Sequence, residues 1–298
     1  MISLLGKYKN GNATIKIFED GTKIRSYEGE YKPEFAENID LKITNRCTGT
    51  NCEYCHEGSN SCAKHSDILN EPFIDTLKPY TEIAIGGGNA LEYPDLIPFL
   101  KRLKELNVIA NITVNQIHFE QNIELLQQLT NEKLIYGLGI SLVNPTRNFI
   151  SLVRQFPNAV IHVINGVVSG YDLSKLYDHH LKILILGYKK LRRGESYYKH
   201  EEMLIKKKQN WLYKNIPTII DHFEVVSFDN LAIEQLDIKR LLTEYEWDEF
   251  YMGDDGSATF YIDAVERTFA KSSTTLINER KKLLDDVELM FKEIKKLQ

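Results

Sequence analysis

From residue 39 onward the chain alternates short apolar runs with segments of helical period. The runs lie at 39–44, 82–86, 108–114, 136–142, 159–164 and 181–186, with a seventh at 223–228. Each is too short for a stable helix and rich in Ile, Leu and Val, the pattern of strands buried inside a sheet. The clearest helical segment is 95–106. Leu96, Phe99, Leu100, Leu103 and Leu106 fall on one face, and Lys101, Arg102, Lys104 and Glu105 lie off it. Such alternation predicts a parallel sheet with right-handed crossovers.

The expected fold class is α/β, a partial (β/α)6-type, TIM-like barrel over residues 39–228. Its chemistry is expected at the C-terminal ends of the strands. Residues 1–38 read as a small N-terminal β-hairpin element that caps the bottom of the barrel. Its turns are Asn10-Gly11-Asn12 and Glu19-Asp20-Gly21. Residues 229–298 read as an α+β C-terminal extension. There, 249–252 and 258–262 flank Gly253-Asp254-Asp255-Gly256 and predict a hairpin. Leu276, Leu283, Val287, Met290, Ile294 and Leu297 predict a closing amphipathic helix docked on the barrel.

The 298 residues are 43% hydrophobic, ample for a large core. The net charge of -5 argues against a whole-surface nucleic-acid footprint. No apolar run approaches the roughly 20 residues needed to cross a bilayer, and the apolar stretch at the N-terminus is too short for a signal peptide. A soluble, cytoplasmic protein without a membrane partner is expected. The segment 189–208 is basic and Tyr-rich. It reads either as a surface for an anionic substrate or as a solvated helical face, and Glu195, Glu201 and Glu202 favour the latter.

All four cysteines fall between positions 47 and 62, which is no disulfide framework for a chain of this size. Thiolates are soft ligands that suit iron–sulfur clusters or zinc. Cys47, Cys52 and Cys55 follow the first predicted strand, on the rim where a barrel carries its chemistry. Three thiolates there can hold a metal and leave one position open. Cys62, His56 or His65 could instead complete a closed zinc site, and Cys62 otherwise reads as a small core residue or a free thiol. The residues alone leave both metals open. The other strand ends are polar or glycine-rich as well: Gly86–Asn89, Asn115, Ser141, Asn165 and Tyr188-Lys189. Asp229 and Asn230 read equally as substrate contacts or as a helix N-cap. Asp254 and Asp255 read as turn residues.

Two segments, Cys47-Thr-Gly-Thr-Asn-Cys52-Glu-Tyr-Cys55 and Gly87-Gly88-Asn89-Ala90-Leu91 followed by Pro94-Asp95-Leu96, together resemble the radical S-adenosylmethionine (SAM) enzymes. The resemblance spans residues 39–190. It implies a single [4Fe-4S] cluster on Cys47, Cys52 and Cys55, with the fourth iron chelated by S-adenosyl-L-methionine. It places Tyr54 against adenine and Gly87, Gly88 and Asn89 near the SAM amino group. Asn115, Ser141 and Asn165 are further rim groups for the cofactor. It implies an electron donor such as a flavodoxin or ferredoxin. It also implies a 5′-deoxyadenosyl radical that abstracts hydrogen from a peptide, nucleic acid or small molecule. The sequence departs from the pattern twice. Four residues rather than three separate Cys47 from Cys52, with Gly49 able to absorb the extra one. Asn89 stands where glutamate is usual, which implies weaker SAM binding. Two alternatives follow: a zinc-stabilised barrel acting as a binding module, and a degenerate member of the family.

Overall fold

The computed structural model describes residues 3–50 and 52–297. Three antiparallel strands open the chain: β1 (Leu4–Asn10), β2 (Ala13–Phe18) and β3 (Lys23–Ser26). Gly11 and Gly21 take the positive φ that their turns require. This small sheet sits against the N-terminal ends of the strands that follow. Lys23 Nζ pairs with Glu82 at 2.5 Å and Glu37 at 3.2 Å. Asn158 Nδ2 donates to the Glu19 carbonyl at 2.6 Å. The Tyr80 ring occupies the space a side chain at Gly6 would need.

The predicted alternation then unfolds in order. It comprises β4 (Asn38–Thr44), β5 (Glu82–Gly87), α1 (Leu96–Glu105), β6 (Ile109–Asn115), α2 (Gln116–Gln121), α3 (Ile123–Asn131) and β7 (Gly137–Ser141). It continues through α4 (Arg147–Val153), β8 (Ala159–Ile164), α5 (Gly170–Ser174), β9 (Lys182–Leu186), α6 (Arg193–Ile219), β10 (Val225–Phe228) and α7 (Asn230–Leu236). All seven apolar runs are strands. Beyond them lie α8 (Glu244–Phe250), β11 (Thr259–Asp263), β12 (Thr268–Ala270), β13 (Lys281–Lys282) and α9 (Val287–Lys295).

Ten strands form one sheet in the order β10-β9-β8-β7-β6-β5-β4-β11-β12-β13. Neighbours from β10 to β11 run parallel, and β12 and β13 add an antiparallel edge. The result is a mixed α/β fold with a large, mostly parallel sheet, compatible with a partial barrel. Strand residues alternate between two environments. Leu41, Ile85, Ile112, Ile140, Ile161 and Ile183 are buried in one core with Phe99, Phe149 and Leu212 of the helices. The opposite face carries Lys42, Thr44, Thr113, Asn115, Gly139, Ser141 and His162. The second set makes a polar wall that an all-apolar core would not tolerate.

The C-terminal region departs from expectation twice. No hairpin joins 249–252 to 258–262. Residues 244–250 are helical, started by a capping box between Thr243 and Glu246. β11 pairs in parallel with β4 instead, setting Phe260 beside Ile39 and Ile262 beside Leu41. That pairing buries both side chains in the main core, which a surface hairpin could not do. The closing helix is also shorter than its spacing predicts. Asp286 caps it, and Val287, Met290 and Ile294 are buried. Leu276 stays 51% exposed because β13 interrupts the chain before the helix.

Candidate active site

The loop from β4 to β5 carries the cysteines. Its base is closed by Asn45 N to Lys64 O at 2.9 Å and Ser66 N to Ile43 O at 2.9 Å, and the Cys47 amide is tied to Asn60 O at 3.0 Å. Cys55 N donates to Cys52 O at 3.1 Å, which folds the Cys52–Cys55 pair into a tight turn. Gly49, between Cys47 and Cys52, takes φ +75°, a left-handed conformation that glycine adopts without a steric penalty.

Cys47, Cys52 and Cys55 are free thiols, half-buried, and all three line one cavity of about 280 Å³. The cavity lies at the C-terminal ends of the parallel strands. Tyr54, Gly86, Gly87, Gly88, Asn115, Ser141, His118, His162, Lys189 and Arg193 share its wall. Burial pushes the Cys47 and Cys52 thiols up from their ordinary range. A bound cation would reverse that, because metal coordination favours the thiolate. Cys62 is exposed and lies outside this lining, so it is a free surface thiol and not a core residue. Among the described residues, no three His, Cys, Asp or Glu groups converge on a single metal ion. A closed zinc site needs four donors around one point. Three thiols border this cavity, and thiolates are donors for zinc and for iron alike.

The glycines at the end of β5 serve the protein first. A Cβ on Gly87 would lie 2.2 Å from Thr44 O, and one on Gly88 would lie 2.1 Å from Arg46 O. Gly88 N and Asn89 N donate to these same carbonyls at 2.8 Å. The glycines thus let β5 end directly beneath the start of the cysteine loop. Gly86 is different: a Cβ there would meet nothing within 4 Å, so its bare backbone faces open cavity.

Asn89 and Asn165 do not line the cavity. Asn89 is buried, accepts from Leu91 N at 3.2 Å and donates to Glu92 at 2.9 Å. Glu92 in turn accepts from Thr48 N at 2.9 Å and Thr48 Oγ1 at 2.7 Å, inside the cysteine loop. Asn165 is fully buried; its Nδ2 donates to Gln235 at 3.1 Å and its Oδ1 has no partner. Asn115 does both jobs: Oδ1 caps α2 through Ile117 N at 2.9 Å, and Nδ2 reaches Cys52 Sγ at 3.7 Å. Ser141 and His162 line the cavity on adjacent strands and are direct neighbours in register, as are Asn115 and Ser141. Asp229 is the N-cap of α7 and also accepts from Gly187 N at 2.8 Å.

Three cavity-lining residues, His118, His162 and Arg193, carry no site signal in the sequence, and His56, a candidate zinc ligand there, lines the cavity too. His118 Nε2 lies 3.6 Å from Cys47 Sγ. Burial opposes protonation of His56 and His162, against a Glu57 carboxylate 3.4 Å from His56, and His162 is pushed down to about 4. Arg193 donates to Cys52 O at 3.2 Å and Ser59 O at 2.9 Å. Histidines on an alternating strand or a short helix carry no spacing signal. The arginine lies in a basic run, the rest of which is largely solvated. Lys199 and Lys206 pair with Glu195 and Glu202 one turn away on α6. Arg192, at φ +51°, turns the chain so that this helix starts against the loop. Its Nη1 donates to the Glu57 carbonyl at 2.6 Å and the Glu57 carboxylate at 3.0 Å.

The fold resembles solved structures of SuiB from Streptococcus suis. Against SuiB bound to the precursor peptide SuiA the TM-score is 0.56 at 16% identity, covering 87% of this chain and 65% of that one. Against SuiB bound to S-adenosylmethionine it is 0.56 at 15% identity, covering 84% and 63%. The chain therefore spans under two thirds of SuiB. At this identity the likeness is one of fold alone. No protein-family model matches the sequence, and no curated protein sequence does either. No helix among the described residues is long and apolar enough to cross a membrane.

Proposed function

We propose that the protein is a radical SAM enzyme acting on a peptide, with residues 39–228 as its catalytic unit. One observation carries this reading. The three cysteines after β4 and the glycines ending β5 border the same cavity, at the C-terminal edge of a parallel sheet. SuiB, which shares the fold, is seen with S-adenosylmethionine and with a precursor peptide, and this supports both the cofactor and the substrate class.

Cys47, Cys52 and Cys55 would hold a [4Fe-4S] cluster, and the backbone of Gly86–Gly88 with Ser141 would hold SAM. Once bound, the cluster and SAM would supply one-electron reductive cleavage and the means to take hydrogen from a substrate. The chain's own part is orientation and exclusion of water. Asn115 donates toward Cys52 Sγ and Arg193 fixes the Cys52 carbonyl, so both restrain one ligand. Tyr54 is held edge-on to Tyr197, ring centres 6.0 Å apart, which fixes its plane over the cavity. Its phenol, pushed up to about 12 by burial, stays protonated. Val163, Ile164, Val167, Val168 and Leu186 also line the cavity, an apolar surface suited to an apolar side chain of the substrate. An external electron donor, such as a flavodoxin or ferredoxin, completes the proposal.

The test is anaerobic reconstitution with iron and sulfide, followed by SAM and a strong reductant. We expect 5′-deoxyadenosine from the native protein and none from Cys55→Ala. Zinc in place of iron with no product would overturn the reading in favour of a zinc-stabilised binding protein. An intact cluster with no SAM cleavage, even with candidate peptides present, would mark a degenerate member.

A further inference from the structure

A chain of buried charges runs from the cysteine loop into the C-terminal strands. Lys42, on the polar face of β4, is 2% exposed. Its Nζ lies 2.8 Å from the Glu57 carboxylate and 3.2 Å from Asp263. Glu57 stands two residues past Cys55 and also receives Arg192 at 3.0 Å. Asp263, the last residue of β11, is fully buried and also receives Arg280 at 3.2 Å. Read along the chain of contacts, the signs alternate: Arg280, Asp263, Lys42, Glu57, Arg192. A second contact runs parallel to the first. Arg280 Nη2 donates to Ser273 O at 3.1 Å, and Ser273 Oγ accepts from the cavity-lining Lys189 at 2.9 Å.

We propose that Asp263, acting through Lys42, is a positioning residue that holds the cysteine loop in its metal-binding pose. The ribbon of β11, β12 and β13 is thereby a working part of the site. Stability alone does not account for these groups. Buried ion pairs are often no more stabilising than apolar residues of the same volume, whereas removing one partner strands the other charge. What the alternation provides is direction. Lys42 can satisfy Glu57 and Asp263 together only when the loop, β4 and β11 are in mutual register. Without Asp263, Lys42 and Arg280 remain as buried cations with one carboxylate fewer, and the Glu57 end of the loop is free to shift or hydrate.

The inference rests on the cluster reading only for its iron measurement. The test uses the full chain carrying Cys62→Ser, so that the exposed thiol does not count. In the metal-free protein, the modification rate of the remaining thiols by a disulfide reagent reports the pose of the loop directly. Asp263→Asn is expected to raise that rate several-fold. After reconstitution it is expected to lower iron affinity by roughly 10- to 100-fold, the usual cost of losing a group that supports metal ligands. Asp263→Glu should recover part of both. Phe269→Ala, in the buried core of the same ribbon, controls for simple destabilisation. Thiol rates and iron uptake unchanged in Asp263→Asn would overturn the proposal. So would changes that merely follow Tm as they do in Phe269→Ala. If the native chain takes up no iron, the cluster reading fails, and the thiol rates still decide the role of Asp263.

Discussion

The imidazole of His162 lies across Gly139 on the neighbouring strand. A Cβ at Gly139 would fall 2.4 Å from its Cε1 and 2.6 Å from its Nε2. The missing side chain is what gives the ring its place beside the strand. Gly139→Ala must push the imidazole into the cavity or the strand out of register. A loss of about 1–3 kcal/mol is expected, as for other overpacked sites. Denaturant unfolding measures the stability, and calorimetric titration with SAM should show weaker binding in the same variant.

His162 also gives stability a pH dependence of known sign. An unfolded histidine takes its proton near 6.5, and the folded one only at about 4, because burial opposes the charge. Between those values the unfolded chain binds more protons, so stability is full above 6.5 and falls as pH drops through the window. The shift corresponds to up to about 3 kcal/mol. His162→Gln should be less pH-sensitive than the native protein between pH 6.5 and 4, measured as unfolding midpoints. Identical slopes would mean that His162 does not carry this term.

The four cysteines should divide three against one. Cys47→Ala, Cys52→Ala and Cys55→Ala each remove a thiol from the cavity wall and should abolish stable iron binding after reconstitution. Cys62→Ala alters an exposed thiol outside that wall and should retain the native iron content. Elemental analysis of the four variants, side by side, settles the division.

Restoring glutamate at position 89 should harm the protein. Asn89 is buried and donates to Glu92, which holds Thr48 of the cysteine loop. Asn89→Glu replaces that donor with a second carboxylate beside the first. We expect a loss of about 1–3 kcal/mol, the cost of an unsatisfied or repelled buried polar group. SAM affinity should not improve. Thermal unfolding and calorimetry check the two halves separately.

The seven parallel strands were legible because each is an apolar run between helical segments, and burial of the sheet's helix-covered face demands that pattern. Cys47, Cys52 and Cys55 were legible because thiols are rare and their place after a strand is informative. The parallel pairing of β11 with β4 was not. Phe260 and Ile262 look the same in a hairpin as in a central strand, and only the distant partner decides. His118, His162 and Arg193 were hidden for a related reason. Each owes its place on the cavity to packing across elements far apart in sequence, which no local spacing records. Gly87 and Gly88 line the cavity, and the close approach that their missing Cβ atoms permit is to the carbonyls of Thr44 and Arg46, a distant packing requirement that the glycines alone do not announce.

Lys42 and Asp263 meet across 221 positions of chain. During synthesis the cysteine loop and Glu57 emerge some two hundred residues before Asp263 and Arg280. Until β11 zips on to β4, Lys42 has only one of its two carboxylates, and the loop lacks the support that reaches it through Asp263. The order of manufacture is therefore the reverse of the order of dependence. The cysteine loop comes off the ribosome long before the strand that completes its support, so its final seating waits on a pairing made 221 positions later.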